Sequence, residues 1–158
     1  DADKAREAVE KYREYYAVTG LFECSIYPGI TELLSGLSDA GTPVYLATSK
    51  PQTFAETILN HLGLAQHFKL IAGSTLDHTR DQKSQVIQWL LSQEHLTPES
   101  CLMVGDRHYD VDGARACGIE AVAVGYGYGS DEEFDKCAPA YRAESVEALA
   151  ELLHRLIG

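Results

Sequence analysis

Short apolar segments alternate with amphipathic helical patterns along most of this chain, and this alternation limits the fold more than any other feature. The apolar segments cover residues 43–47, 68–72, 101–104 and 121–124. The stretches that separate them carry apolar residues at helical spacing, as in 83–93. Strands that alternate with helices form a parallel sheet covered by helices on both faces. The sequence therefore predicts an α/β fold built on a parallel sheet.

Charge and size exclude several classes of function. The 158 residues fit one domain, and 24 acidic against 13 basic residues give a net charge of −11. Such a surface repels nucleic acid and anionic lipid, so neither is expected as a partner. No apolar run approaches the roughly 20 residues that span a bilayer. The four cysteines form no CxxC pair, which is typical of reduced thiols in a cytoplasmic protein.

Polar residues follow the first predicted strand, at the sheet edge where ligands of such folds bind. These residues are Thr48, Ser49 and Lys50, with Pro51 next in the chain. A hydroxyl beside the amides at the start of a helix can hold a phosphoryl oxygen. The same hydroxyls can also serve as ordinary helix caps. The residues therefore allow a phosphate site without requiring one.

Two carboxylates follow the third predicted strand. Asp106 comes directly after the buried segment, and Asp110 lies four residues further on. An unpaired carboxylate next to a buried strand is costly unless a cation meets it. Mg²⁺ prefers hard oxygen ligands and keeps several of its waters. The spacing favours a magnesium site, although a helix cap at Asp110 and a turn at Asp106 remain the alternative.

Lys83 opens the helix that follows the second predicted strand. Most lysines are solvated, and this one can be too. A parallel sheet can also bring it to the edge that carries the other polar residues. There its ammonium group would balance the charge of carboxylates or of a phosphate. Arg80, in the preceding loop, is expected to be solvated rather than bound to a substrate anion.

The order of these motifs is more specific than any one of them. Thr48-Ser49, then Lys83, then Asp106 with Asp110 resemble the second, third and fourth motifs of the haloacid-dehalogenase-like (HAD) phosphohydrolases. The resemblance implies a three-layer, Rossmann-like core with a parallel sheet. It also implies Mg²⁺-dependent hydrolysis of a small phosphomonoester through an aspartyl-phosphate intermediate.

Details of three segments, 48–51, 105–107 and 125–130, are similar to the phosphoglycolate phosphatase and 5′-nucleotidase branch of this family. Carried over by position, the substrate-binding residues are Thr48, Ser49, Lys50 and Lys83. The catalytic residues are Ser49, which would bond the transferring phosphoryl group, Lys83, which would hold its charge, and Asp110. The metal site would consist of Asp106 and Asp110, the latter supporting the waters of Mg²⁺ or orienting Lys83.

The family's first motif, Asp-x-Asp-Gly-Thr after an apolar strand, does not occur in this sequence. Asp1 and Asp3 have the right spacing, but we interpret them as the acidic first turn of a helix. That helix resembles the end of the family's helical cap. We therefore expect a cap remnant over residues 1–20 and the HAD core, without its first strand, over 21–158. A missing N-terminal segment or a second chain would complete the sheet.

Two classes of function remain open from the sequence. The first is a phosphatase of the kind described above, phosphoglycolate phosphatase-like or, as the alternative, a 5′-nucleotidase. The second is a non-catalytic module that binds phosphate or another protein, since the attacking carboxylate is absent. In either case the 158-residue chain alone is expected to be inactive.

Overall fold

A computed structural model describes residues 19–77 and 79–157 of the chain. The described helices are Ile30–Asp39 (α1), Gln52–His61 (α2), Lys83–Glu94 (α3), His108–Ala116 (α4), Asp131–Cys137 (α5) and Val146–Ile157 (α6). The described strands are Tyr45–Pro51 (β1), Leu70–Ser74 (β2), Leu102–Gly105 (β3), Glu120–Val124 (β4) and Tyr141–Ala143 (β5). The cap remnant expected over residues 1–20, and Asp1 and Asp3 with it, falls almost wholly outside the described residues.

Every described strand pair is parallel, which confirms the predicted α/β fold. Strand β1 pairs with β2, and β3, β4 and β5 form a second sheet in that order. No described strand joins β1 to β3. The side chains of these two strands are correspondingly exposed or half-buried, whereas four of the five residues of β4 are buried. Strands inside a parallel sheet are normally covered on both faces. The side chains of β1 and β3 are therefore more exposed than those of a typical inner strand.

Helices lie on both faces and hold the two sheets together. On α3, Val86 packs against β1 and β2, and the next residue, Ile87, packs against the cluster formed by α4, β4 and α5. On the other face, Leu34 of α1 belongs to the cluster over β1 and β2, while Leu33 packs with β4, β5 and α6. Burying a side chain such as Val86, which is 0% exposed, stabilises the fold by about 1.5–3 kcal/mol.

Several boundaries differ from those predicted. Strand β1 runs through Thr48, Ser49 and Lys50 to Pro51, so these polar residues lie in the strand and do not follow it. The pairing of β1 with β2 becomes irregular between Ala47 and Pro51. Pro51 ends the strand with an extended backbone (φ −51°, ψ 134°) and is the N-cap of α2.

Helix α4 and the last strand also differ from expectation. The helix begins at His108, only three residues after the end of β3, so Asp110 lies in its first turn. Strand β5 and helix α5 were not predicted. Strand β5 has only three residues, which is too short to show a period of two.

Candidate active site

Lys83 connects strand β1 to the first turn of helix α4. Its Nζ lies 2.7 Å from Oδ1 of Asp110, at the start of α4, and donates a 2.8 Å hydrogen bond to the backbone carbonyl of Ala47 in β1. The two charged side chains are only 12% and 11% exposed. A buried ammonium is tolerated here because a carboxylate balances its charge and a carbonyl accepts one of its protons.

Asp110 has partners on both oxygens. Oδ1 meets Lys83, and Oδ2 accepts hydrogen bonds from the backbone N–H groups of Asp106 and Arg107, each at 3.1 Å. Asp110 therefore orients Lys83 and also determines the path of the chain where it leaves β3. These contacts favour the orienting role predicted for Asp110, and its role as a metal ligand stays a prediction.

Asp106 lies at the end of β3 beside the Gly/Tyr loop that follows β4. Its Oδ2 accepts a 2.9 Å hydrogen bond from the backbone N–H of Tyr128. Its Oδ1 has no hydrogen-bond partner among the residues that the structure describes. A side chain at Gly127 would collide with the Asp106 carboxylate, so the loop packs directly against this group. Burial, Tyr27 and Asp106 raise the pKa of the neighbouring Tyr126.

Thr48, Ser49 and Lys50 lie in β1 directly after the carbonyl that Lys83 holds. The Thr48 hydroxyl accepts a 3.2 Å hydrogen bond from the backbone N–H of Lys50. Ser49 and Lys50 are exposed. An ion pair and a hydrogen bond thus link Lys83, Asp110 and the Asp106 backbone, and chain continuity places the three residues of β1 next to the Ala47 carbonyl that Lys83 binds.

Two glycines differ in what surrounds them, which gives a matched pair of substitutions. A Cβ at Gly113 in α4 would lie 2.6 Å from Cγ of Lys83, whereas a Cβ at Gly36 in α1 would meet nothing within 4 Å. Gly113→Ala is expected to lower the free energy of unfolding by about 1–3 kcal/mol through overpacking. Gly36→Ala is expected to raise it by about 0.5–1 kcal/mol through helix propensity. Denaturant unfolding measures both, and a Gly113→Ala variant as stable as Gly36→Ala would contradict the close packing at Lys83.

The sequence analysis missed Glu133, in α5. Its Oε1 accepts hydrogen bonds from Nε of Arg107 (3.0 Å), the backbone N–H of His108 (2.7 Å) and, when that nitrogen is protonated, Nδ1 of His108 (2.7 Å). These bonds lower the pKa of the Glu133 carboxyl to about 2, with the His108 backbone N–H the largest cause and the Arg107 side chain the next. Three successive acidic residues after Ser130 were the available signal, but nothing local distinguished Glu133 from the others.

The lowered pKa of Glu133 makes its contribution to stability depend on pH. Because the folded protein favours the charged carboxylate, that contribution is complete above the ordinary pKa of 4.5 and is lost as the pH falls toward about 2. The difference in stability between the unmodified protein and Glu133→Gln is therefore expected to shrink between pH 4.5 and 2. Urea unfolding at a series of pH values measures this, and a difference that grows on acidification would refute it.

Arg80 is not the solvated residue that the sequence predicted. Its guanidinium stacks on the ring of Trp89 at 3.9 Å and donates hydrogen bonds of 2.8 Å to the Gly73 carbonyl and to Oε1 of Gln52. Stacking on an aromatic face and binding a strand carbonyl both restrain the loop that leads into Lys83. Arg80 is thus a structural residue of this loop.

The donor set around Asp106 suits a magnesium ion only in part. Across residues 19–77 and 79–157, no cluster of three or more His, Cys, Asp or Glu side chains is arranged to hold a metal. Mg²⁺ is commonly bound by one or two carboxylates together with waters and substrate phosphate. The carboxylate of Asp106, with Oδ1 available, fits that pattern as one ligand.

No helix in the described part of the chain is long and apolar enough to cross a membrane.

The geometry defines an α/β protein with a charged cluster at the edge of its parallel sheets, and comparison with known proteins gives the family. Residues 1–124 match the model of the haloacid dehalogenase-like hydrolases. A 5′-nucleotidase of Pseudomonas aeruginosa is 44% identical over 153 residues, which are 97% of this chain and 69% of that protein. The chain belongs to the haloacid dehalogenase-like hydrolases, and the resemblance inferred from its motifs is confirmed.

Two further relatives show how much of such proteins the chain spans. It is 41% identical to the tyrosine-protein kinase PtkA of Mycobacterium tuberculosis over 96% of its own length but only 53% of that protein. The crystal structure of a predicted phosphatase from Clostridium acetobutylicum superposes with a TM-score of 0.92 at 37% identity, covering 98% of this chain and 72% of that one. The chain thus spans about half to three quarters of these relatives.

Proposed function

We propose that these residues form the phosphate- and metal-binding part of a phosphatase that hydrolyses a small phosphomonoester with Mg²⁺. The observation that carries the proposal is the position of the Lys83 ammonium, which is bonded at once to Asp110 and to the Ala47 carbonyl. This group lies between the Asp110 carboxylate and the strand residue that immediately precedes Thr48 and Ser49. A fixed cation beside hydroxyl donors is suited to hold a phosphoryl group.

Each residue of the site has a defined role in this proposal. The hydroxyls of Thr48 and Ser49, with Lys50, bind phosphoryl oxygens, and Lys83 balances the negative charge. Asp110 keeps Lys83 in place, and Asp106 is a ligand of Mg²⁺. When bound, the ion would offset the charge of the phosphate and of the carboxylates around it. Since Lys83 is already oriented, little reorganisation is needed when substrate enters.

The attacking carboxylate would come from a strand that pairs with β1 on one side and β3 on the other. That strand would belong to an N-terminal segment of a longer protein or to a second chain. The half-buried side chains of β1 and β3, and Val104 at 37% exposed, support this part of the proposal. The carboxylate oxygen bonds to phosphorus as the ester oxygen leaves and takes a proton. Water then cleaves the aspartyl-phosphate, which returns the carboxylate and releases phosphate.

The substrate belongs to the same proposal. The relative named as a 5′-nucleotidase is 44% identical, whereas one named as a phosphoglycolate phosphatase, from Vibrio vulnificus, is 28% identical over 93% of the chain. This difference favours a nucleoside 5′-monophosphate over phosphoglycolate as the first substrate to test. The reaction class is the same for both.

The direct test is phosphate release by the complete protein that carries these residues. Incubated with Mg²⁺ and either a nucleoside 5′-monophosphate or phosphoglycolate, it is expected to release phosphate, and EDTA is expected to abolish the release. The 158-residue chain alone is expected to show no turnover. Undiminished activity in EDTA would contradict the metal role. Phosphate binding without turnover by the complete protein would instead support a non-catalytic module.

A further inference from the structure

The segment that leaves β3 is held by two carboxylates. Three successive backbone N–H groups, at positions 106, 107 and 108, all donate to acidic side chains. Those of Asp106 and Arg107 bond Oδ2 of Asp110, and that of His108 bonds Oε1 of Glu133. The first carboxylate belongs to α4 and the second to α5. The path of residues 106–108 therefore depends on a helix that lies outside the motifs discussed so far.

Helix α5 is itself well fixed. Its Ser130 hydroxyl accepts a 3.2 Å hydrogen bond from the backbone N–H of Glu133, and the adjacent Phe134 is 2% exposed within the core. The segment that leads into the helix also contacts the same loop, because the N–H of Tyr128 bonds Oδ2 of Asp106. A Cβ at Gly129 would collide with the Asp106 carbonyl and the Phe134 ring. Residues 128–134 thus contact the 106–108 segment through both backbone and side chains.

We propose that Glu133 is a positioning residue, which fixes the backbone of residues 106–108 so that the Asp106 carboxylate is held where it binds a divalent cation. This inference rests on the proposed function, since it takes Asp106 as a metal ligand. Glu133 acts through the His108 backbone and the Arg107 side chain, and has no contact of its own with the carboxylate that it positions.

The physical reason is the strict geometry of magnesium. Mg²⁺ requires nearly octahedral ligands at about 2.0–2.1 Å, so a small displacement of a ligand weakens binding. When the Glu133 carboxylate is replaced by a neutral amide, the His108 N–H keeps only a weaker acceptor and the Arg107 guanidinium loses its ion pair. Asp110 then still binds the backbone N–H groups of Asp106 and Arg107, but nothing of comparable charge in the described part of the chain holds His108. Loss of an outer group that orients a metal ligand typically weakens metal binding by about 10- to 100-fold.

The chain offers a matched control for this inference. Glu132 is the preceding residue in α5, and its carboxylate is 81% exposed and paired with Lys136. Glu132→Gln removes the same charge from the same helix without altering the 106–108 segment. Glu133→Gln keeps the size of the side chain and an oxygen acceptor but removes the charge that binds Arg107. Glu133→Asp keeps the charge and shortens the side chain by one methylene.

The experiment measures Mg²⁺ binding to the complete protein by titration calorimetry, together with the Mg²⁺ concentration that gives half-maximal phosphate release. Glu133→Gln is expected to raise both the Kd for Mg²⁺ and the half-saturating concentration by about 10- to 100-fold. The kcat at saturating Mg²⁺ is expected to stay close to that of the unmodified protein. The Kd of Glu133→Asp for Mg²⁺ is expected to lie between the values of the unmodified protein and Glu133→Gln. Glu132→Gln is expected to bind Mg²⁺ as tightly as the unmodified protein. Faster hydrogen exchange at the His108 amide would mark the weaker hydrogen bond to the neutral side chain.

A Glu133→Gln protein with a lower Tm but an unchanged Kd for Mg²⁺ would overturn the inference, because the residue would then be merely structural. The same holds if kcat falls while the Kd stays constant. If the complete protein binds Mg²⁺ but releases no phosphate, the proposed function fails and calorimetry still decides the role of Glu133. If Glu133→Gln does not fold, the Glu133→Asp protein decides it, since a normal Kd there would refute the positioning role. Absence of Mg²⁺ binding by the unmodified protein would overturn both proposals.

Discussion

Lys83→Met, made in the complete protein, is expected to lower the rate of phosphate release by about 10²- to 10³-fold, as loss of one preorganised donor to a developing charge does. It is also expected to reduce the free energy of unfolding by about 3–5 kcal/mol. The second effect arises because the Asp110 carboxylate, 11% exposed, would lose the cation that balances its charge. Phosphate release at saturating Mg²⁺ and urea unfolding measure the two effects separately.

A second substitution separates the effect of Lys83 on activity from its effect on stability. Asparagine at position 110 is neutral and still accepts the backbone bonds from Asp106 and Arg107. The double variant Lys83→Met/Asp110→Asn is therefore expected to be more stable than Lys83→Met and equally inactive. Strictly additive losses of stability would contradict the coupling of the two side chains. Lys136→Met, at a lysine that is 73% exposed, is the control and is expected to change stability by less than about 0.5 kcal/mol.

Asp106→Asn is expected to lower Mg²⁺-dependent phosphate release by about 10³-fold, the equivalent of about 4 kcal/mol in the activation free energy. The amide oxygen can still accept the hydrogen bond from the Tyr128 N–H, so the free energy of unfolding is expected to change little. The cause of the lost activity would be the missing negative charge at the metal. Initial rates measured over a series of Mg²⁺ concentrations test this.

The control for this substitution is Asp112→Asn. Asp112 lies in the same helix as Asp110, is 52% exposed and pairs with Arg115 across one helical turn. This variant is expected to keep the Mg²⁺ dependence of the unmodified protein. Equal losses of activity in the two variants would show a general effect of negative charge rather than a ligand at position 106.

Local patterns in the chain were enough to identify most of the architecture. The buried stripe Val86, Ile87 and Leu90 matches the helical period that predicted α3, and β4 matches its apolar run. Residues 131–137 were harder, because charged residues dominate that segment and α5 buries only Phe134 and Cys137. The end of β1 was also misplaced, since polar residues such as Thr48 and Ser49 resemble a loop although their backbone is extended.

The amino-acid order alone specified the kinds of chemical group at the sheet edge and the alternation of strand and helix. It did so because buried positions recur in the sequence with the period of the helix or strand that carries them, and because the order of the motifs can be read along the chain. It did not specify which groups meet. The Lys83 ammonium binds a carbonyl 36 residues away, and the Glu133 carboxylate binds an amide 25 residues away. Such pairings depend on strand order, helix packing and side-chain direction, which no local pattern encodes, so only the folded arrangement could reveal that Glu133 binds Arg107 and His108.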